Sequence, residues 1–267
     1  MTPTQYSYGT AGWSYKDWEG TVYPVPREPH FNPLAFLSRE FDFVEVNTTF
    51  YRTPSLKLTQ GWVKKTGSIP HFSFWIKVNQ QFTHIRKWSA PEISEFLLSC
   101  QPLVEAKKLN GFLAQFPYSY KWSPENMDYI KNLQGHFYPH SVAVEFRHNS
   151  WNRPETIELF KQNRLVWVNI DQPVISHSLP LTWHLTHPEI SYFRLHGRNY
   201  RSWFSNQGRD ARYDYSYSNL ELNHIAEKIK KLEKLARTVF VSGNNHYKGQ
   251  AIRNLKQLKK IVEEKNS

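Results

Sequence analysis

A carboxylate and a guanidinium two residues apart on one face of a strand are costly to desolvate, so they must be paired, hold a ligand, or both. Residues 142–151, VAVEFRHNSW, carry such a pair: Glu145 and Arg147 share a face with Ala143, while Val142, Val144 and Phe146 form the other. The same signature recurs along the chain at Glu45, Lys77, Gln115, Asp171, Arg194, His196 and Asn244. Three chemistries suit such a set. Glu45, Glu145, Asp171, His196 and His246 are ligand types for a divalent ion, but Lys77, Arg147 and Arg194 compete for the same carboxylates and no H-E-x-x-H spacing is present, so a metal is not favoured. Glu45 and Glu145 as general acid and base would flank a substrate without a metal, in the manner of a glycosidase. Lys77, Arg147 and Arg194 would clamp an anion or a developing oxyanion. The bland alternative is a closed ion-pair network that binds nothing.

The elements that would position these groups alternate. Strand patterns fall at residues 8–12, 43–47, 72–79, 112–116, 142–147, 166–171, 192–196 and 239–244. Helical patterns fall at 33–39, 55–65, 91–108, 124–133, 154–163, 219–235 and 249–264, with prolines 91, 124 and 154 suited to a first helical turn. No helix pattern separates the sixth strand from the seventh. Eight strands, nearly all followed by a helix, predict an α/β fold: one (β/α)₈ TIM-type barrel over residues 1–267. Strand parity then assigns faces. Phe43, Glu45 and Asn47; Trp75, Lys77 and Asn79; Leu113 and Gln115; Ala143, Glu145 and Arg147; Trp167, Asn169 and Asp171; Arg194 and His196; and Ser242, Asn244 and His246 are expected to point into the lumen, near the strand carboxyl ends where barrels place chemistry.

Composition narrows the class further. A net charge of +11 favours an anionic partner, either a small molecule or nucleic acid, although much of the excess lies on the last two helices. Aromatic residues make up 16%, and Trp13, Tyr51, Trp151 and Trp203 sit where they would stack on sugar rings or bases. The loop at 198–218 interleaves Arg198, Arg201, Arg209 and Arg212 with Tyr200, Trp203, Phe204, Tyr213, Tyr215 and Tyr217, a combination suited to phosphates and stacked rings. A rim-packed lid with surface ion pairs would read the same way. The single cysteine, Cys100, forms no intramolecular disulfide, no run is long and apolar enough for a membrane helix, and residues 1–8 are polar, so a cytoplasmic protein away from membranes is expected. No Walker loop or G-x-G-x-x-G is present to cradle a nucleotide cofactor, and no cofactor is identified. Gly197, Gly243 and Gly249 are the weaker candidates for a phosphate cup.

Eight ordered motifs resemble one family over nearly the whole chain. GTAGWSYKDWEG from Gly9, FVEVNTTFYRTPS from Phe43, QFTH around His84, QFPYS from Gln115, VEFRHNSW from Val144, FRLHGRN from Phe193, RYDYSYS from Arg212 and NNHYKGQA from Asn244 are similar to the YecE-like proteins, the domain of unknown function numbered seventy-two. The resemblance implies a TIM-type barrel and no settled activity. It also implies a pocket lined by Glu45, Asn47, Tyr51, Lys77, His84, Gln115, Glu145, Arg147, Asp171, Arg194, His196, Asn199, Tyr213 and Asn244. Ser242 and Gly243 depart from it, since bulkier residues are expected there.

The expectation is therefore a hydrolase-type enzyme acting on a phosphate-bearing substrate. Glu45, Lys77, Glu145, Asp171 and His196 are the catalytic candidates. Trp13, Asn47, Tyr51, Gln115, Arg147, Arg194, Arg198, Asn199, Tyr213 and Asn244 are the substrate-binding candidates. A non-catalytic nucleotide or nucleic-acid binding protein is the rival.

Overall fold

Alternating strand and helix patterns close into a barrel in the computed structural model, which describes residues 3–203 and 210–264. The strands are β1 (Gln5–Ala11), β2 (Phe43–Val46), β3 (Ser73–Lys77), β4 (Leu109–Gln115), β5 (Val142–Glu145), β6 (Val166–Asp171), β7 (Ile190–Leu195) and β8 (Thr238–Gly243). All pair in parallel in chain order, and β8 returns to β1. Helices α1 (Pro33–Glu40), α2 (Leu56–Lys65), α3 (Ala90–Glu105), α4 (Pro124–Phe137), α5 (Pro154–Gln162), α6 (Asn219–Lys230) and α7 (Gln250–Glu264) follow every strand except β6. Local chemistry starts them: the Ser55 and Ser123 side chains accept N–H bonds at α2 and α4, and Ser218 with Glu221 makes a capping box at α6.

Between β6 and β7, as the missing helical pattern predicts, an irregular segment covers the barrel. The Asn169 side chain holds it, accepting from Thr182 Oγ1 (2.7 Å) and the His184 amide (2.8 Å). This contact corrects the parity assigned to β6. Ala143 pairs with Val166 and Ile170 with Arg194, so Val166, Val168 and Ile170 share the inward face with Glu145 and Arg194. Trp167, Asn169 and Asp171 point outward, and Trp167 packs on Phe146 and on Phe160 of α5. The physical reason is the segment itself: a strand normally shows its apolar face to a helix, whereas β6 shows polar atoms to a coil whose backbone needs partners.

Parity holds on the strands that build the site. A lower aromatic layer of Phe43, Trp75, Tyr192 and Phe240 fills the lumen, with ring centroids such as Trp75–Tyr192 at 4.8 Å and Phe43–Phe240 at 5.3 Å. Two residues further along the same faces stand Glu45, Lys77, Arg194 and Ser242. The aromatic plug is the floor on which the charged layer rests. Several strands stop one or two residues earlier than their patterns, so Asn47, Arg147, His196 and Asn244 sit just past the sheet, at the mouth.

Candidate active site

At the centre lies Arg194, fully buried on β7 and shared between two equally buried glutamates. Its Nε donates to Glu45 Oε2 at 2.7 Å, its Nη2 donates to Glu45 Oε1 at 3.0 Å, and its Nη1 donates to Glu145. Tyr192 Oη and Ser242 Oγ donate to the same Glu45 carboxylate at 2.8 and 2.6 Å. A small residue at 242 is therefore required for reach, and Gly243 packs against Ala251 and Leu255 of α7, where an added Cβ would lie 3.0 Å from each. A side chain at 243 would therefore crowd α7.

Glu145 is held from the other side by Arg147, with Nη2 to Oε1 at 2.6 Å. Burial alone would raise the Glu145 pKa, but Arg147 and Arg194 overrule it and hold the carboxyl well below its usual range. His196 Nδ1 meets Asn244 Nδ2 at 2.8 Å, and its Nε2 faces Glu145 Oε1 at 3.4 Å. Burial, then Arg147, pushes the imidazole down to about 3, so His196 is neutral throughout the physiological range. Glu45 accepts from Arg194, Tyr192 and Ser242, whereas Glu145 pairs with Arg194 and Arg147. Held ionised by its two arginines, Glu145 is a poor proton acceptor.

Lys77, the last residue of β3, has a different environment. Its Nζ donates to Gln115 Oε1 at 2.6 Å and lies 4.3 Å from the Phe50 ring centroid, and among the described residues no ion pair joins it to a carboxylate. Two carboxylates already balance two guanidiniums, so a protonated Lys77 is the surplus charge. Burial and then Arg194 push its pKa from 10.5 down to about 7, with Glu145 and Glu45 only partly opposing. The following π-helical turn Gln81–Ile85 brings up His84, whose pKa burial and then Lys77 lower to about 4. The amine borders a cavity of about 20 Å³, room for roughly one water-sized group, lined also by Asn47, Tyr51, Gln115, Arg194, Tyr213 and Asn244.

Two larger lobes open from this point. Gln115 and Tyr213 also line a lobe of about 190 Å³ with Tyr118, Arg147, Gln172, Trp203 and Arg212. Arg147 Nη1 is aimed by Gln172 Oε1 at 2.9 Å, and its guanidinium stands 5.7 Å from the Trp203 ring. Asn47 and Tyr51 also line a lobe of about 350 Å³ with Gly12, Trp13, Tyr15 and His246. Tyr15 stacks on His246 at 4.3 Å and 10°. Gly12, at φ +91°, makes the bend that brings Tyr15 there. Among the described residues, no Asp or Glu lines any of the three parts.

The expected residues thus divide. Trp13, Asn47, Tyr51, Lys77, Gln115, Arg147, Arg194, Tyr213 and Asn244 border one trough, with Glu45, Glu145 and His196 directly beneath. Asp171 and Arg198 do not join it. Asp171, on the outward face of β6, accepts two-pronged bonds from Arg198 (2.7 and 3.0 Å) and one from Tyr217 Oη (2.6 Å), and Arg198 reaches on to Glu221 of α6. Asn199 braces its own loop, donating to the Ala211 and Asp214 carbonyls. Trp151 is buried in the wall against Phe146 and Tyr120. Phe204 and Arg209 lie outside the described residues. Sequence reasoning missed Tyr192, Gln172, Tyr118 and Tyr15. Tyr192 carried a signal, two residues before Arg194 on the same face, and Tyr15 and Tyr118 lie within the GTAGWSYKDWEG and QFPYS motifs. Among the described residues no group of three or more His, Cys, Asp or Glu side chains is arranged to hold a metal ion, and no helix is long and apolar enough to cross a membrane.

Comparison with known proteins places this geometry among relatives. Residues 7–267 match the family described as "Protein of unknown function DUF72", the same family that the sequence motifs resemble. The UPF0759 protein YunF of Bacillus subtilis (strain 168) is 28% identical over 270 residues, covering 96% of this chain and 94% of that protein. The crystal structure of a DUF72 family protein from Thermotoga maritima MSB8 superposes with a TM-score of 0.85 at 37% identity, over 97% of this chain and 99% of the other. One from Enterococcus faecalis V583 gives 0.85 at 28%, over 97% and 96%.

Proposed function

Since this chain belongs to the DUF72 family, whose description names no reaction, we propose its function from the site: an enzyme that binds a phosphate-bearing substrate across the trough and moves protons on it through Lys77. The single observation that carries this reading is the charge of the lining. Among the described residues, Lys77, Arg147, Arg194 and Arg212 line the trough and no carboxylate does, so the surface offers a polyanion several donors while the two glutamates stay beneath their arginines. A ring attached to the phosphate fits the aromatic lobe around Trp13, Tyr15 and Tyr51, and nucleotides or a single strand are members of that class.

The division of labour differs from the one expected from the sequence. Glu45 and Glu145 are positioning residues: they fix the two guanidiniums, and the lowered basicity of Glu145 disqualifies it as a general base. Lys77 titrates near neutrality, so part of it is free amine when substrate arrives. In hydrolytic cleavage the amine accepts a proton from water as its oxygen adds to phosphorus, Arg147 and Arg194 hold the charge that builds on the phosphoryl oxygens, and the ammonium then returns the proton to the leaving oxygen.

Calorimetric titration with inorganic phosphate, a mononucleotide and a short single strand, at low and physiological salt, tests the binding half. Saturable, salt-weakened binding is expected, with Arg147→Ala reducing affinity about tenfold or more through the lost charged hydrogen bonds. Binding that ignores both salt and Arg147 would refute the reading.

A further inference from the structure

The aim of the Lys77 amine carries a second consequence. Its Nζ stands at the carboxyl end of a barrel strand, facing a cavity the size of one small group, with a neutral amide (Gln115) rather than a carboxylate as its hydrogen-bond partner. Asn47 and Asn244 border the same cavity, and Asn47 Oδ1 finds no hydrogen-bond donor among the described residues. Solvation by amides leaves a lone pair usable, whereas a paired carboxylate would keep the nitrogen an ammonium ion.

We propose that Lys77 is a nucleophile that forms an imine with a phosphate-bearing aldehyde or ketone. The inference rests on the anion-binding half of the reading above and gives Lys77 a covalent role in place of the proton transfer described there. The Nζ lone pair attacks the carbonyl carbon, and a proton passes from nitrogen to oxygen to give a carbinolamine. That oxygen takes a further proton from solvent and leaves as water. The result is a protonated imine: amine, carbonyl and one proton give iminium and one water. The phosphate lies toward Arg147 and Arg212, in the lobe that shares Gln115 with the cavity beside the amine. The iminium then withdraws electrons from the adjacent carbon, so bonds at that carbon are the ones such a site breaks or forms.

Depression of the Lys77 pKa to about 7 supports this geometry, because lysines with ordinary values are almost wholly protonated at neutral pH.

The test is reductive trapping. The full chain is incubated at pH 7 with dihydroxyacetone phosphate and sodium cyanoborohydride, and the adduct is located by peptide mass spectrometry. Binding of the same probe is measured by calorimetry, with inorganic phosphate as competitor. Expected is an adduct on Lys77 at least about tenfold above that on any other lysine, suppressed by phosphate and absent from Lys77→Arg. Circular dichroism of that variant, and of Lys77→Met in case the arginine does not fit, shows that loss of the adduct is not loss of fold. Phosphate-competed binding without a preferred Lys77 adduct overturns the imine and leaves the anion site standing. A preferred Lys77 adduct indifferent to phosphate supports the imine and overturns the phosphate clamp. Neither binding nor adduct overturns both.

Discussion

Two clusters of acids and arginines stand at the carboxyl ends of this barrel, one inside it and one outside, and they differ in what they leave over. Outside, Asp171 and Glu221 share Arg198, and Tyr217 and Tyr215 hydroxyls occupy further carboxylate oxygens. Every group faces another member, and the cluster ties the start of the loop after β7 to the amino end of α6. Its tight corner is Gly197, at φ +84°, where an added Cβ would lie 2.7 Å from Tyr215 Cβ. Inside, Glu45 and Glu145 balance Arg194 and Arg147, and Lys77 remains as an extra base facing a cavity. Acid–arginine pairing at strand ends is thus not itself a sign of chemistry. The sign is the group that the pairing leaves unneutralised, together with space beside it.

The sharpest way to break this comparison is to remove the arginine at each centre. Arg194→Met leaves the buried Glu45 carboxylate without a cation and Glu145 with Arg147 alone, and a loss of about 3–5 kcal/mol is expected in urea unfolding. Adding Glu45→Gln and Glu145→Gln to that variant should recover much of the loss, because the cost lies in the unpaired charges rather than in the missing contacts. If Arg194→Met unfolds at the wild-type midpoint, the inner cluster is not the enclosed network described. Asp171→Asn is milder. Arg198 keeps Glu221 and some solvent, so about 1–3 kcal/mol is expected, with phosphate affinity unchanged. A drop in affinity larger than the drop in stability would put Asp171 back at the site.

The same contrast explains what could be read without coordinates. The closed barrel, the uncovered β6 and the lumen faces of the strands bearing Glu45, Lys77, Gln115, Glu145 and Arg194 follow from period-two patterns, because each of those strands turns one uniformly apolar face to its helices. β6 broke the rule. Val168 and Ile170 look like a helix-facing stripe, and nothing in one dimension says that the covering element is a coil needing Asn169 for its own backbone. Asp171 was misplaced for that reason. Reach is also invisible along the chain. Tyr192 and Ser242 complete the Glu45 carboxylate from β7 and β8, 147 and 197 residues away in sequence. The exchange of roles between Glu145 and Lys77 depends on counting neutralised charges across strands, which no single motif contains.

A smaller effect sharpens the comparison most directly, because it reads the surplus charge itself. Lys77 in the folded chain releases its proton near pH 7, whereas in the unfolded chain it does so near its usual 10.5. Between those values the unfolded state binds more protons than the native one, so stability must rise with pH across the window. Below it the ammonium is present in both states and its burial penalty is in full force. Above it the amine is neutral in both and the penalty is gone. Lys77→Met abolishes this term. The variant is therefore expected to match or exceed wild type in stability at pH 6, and its advantage should shrink from pH 7 to pH 9 as the wild-type amine deprotonates. Urea titrations of both proteins at three pH values suffice. Parallel curves would show that Lys77 titrates as an ordinary lysine, leaving the inner cluster as closed as the outer one.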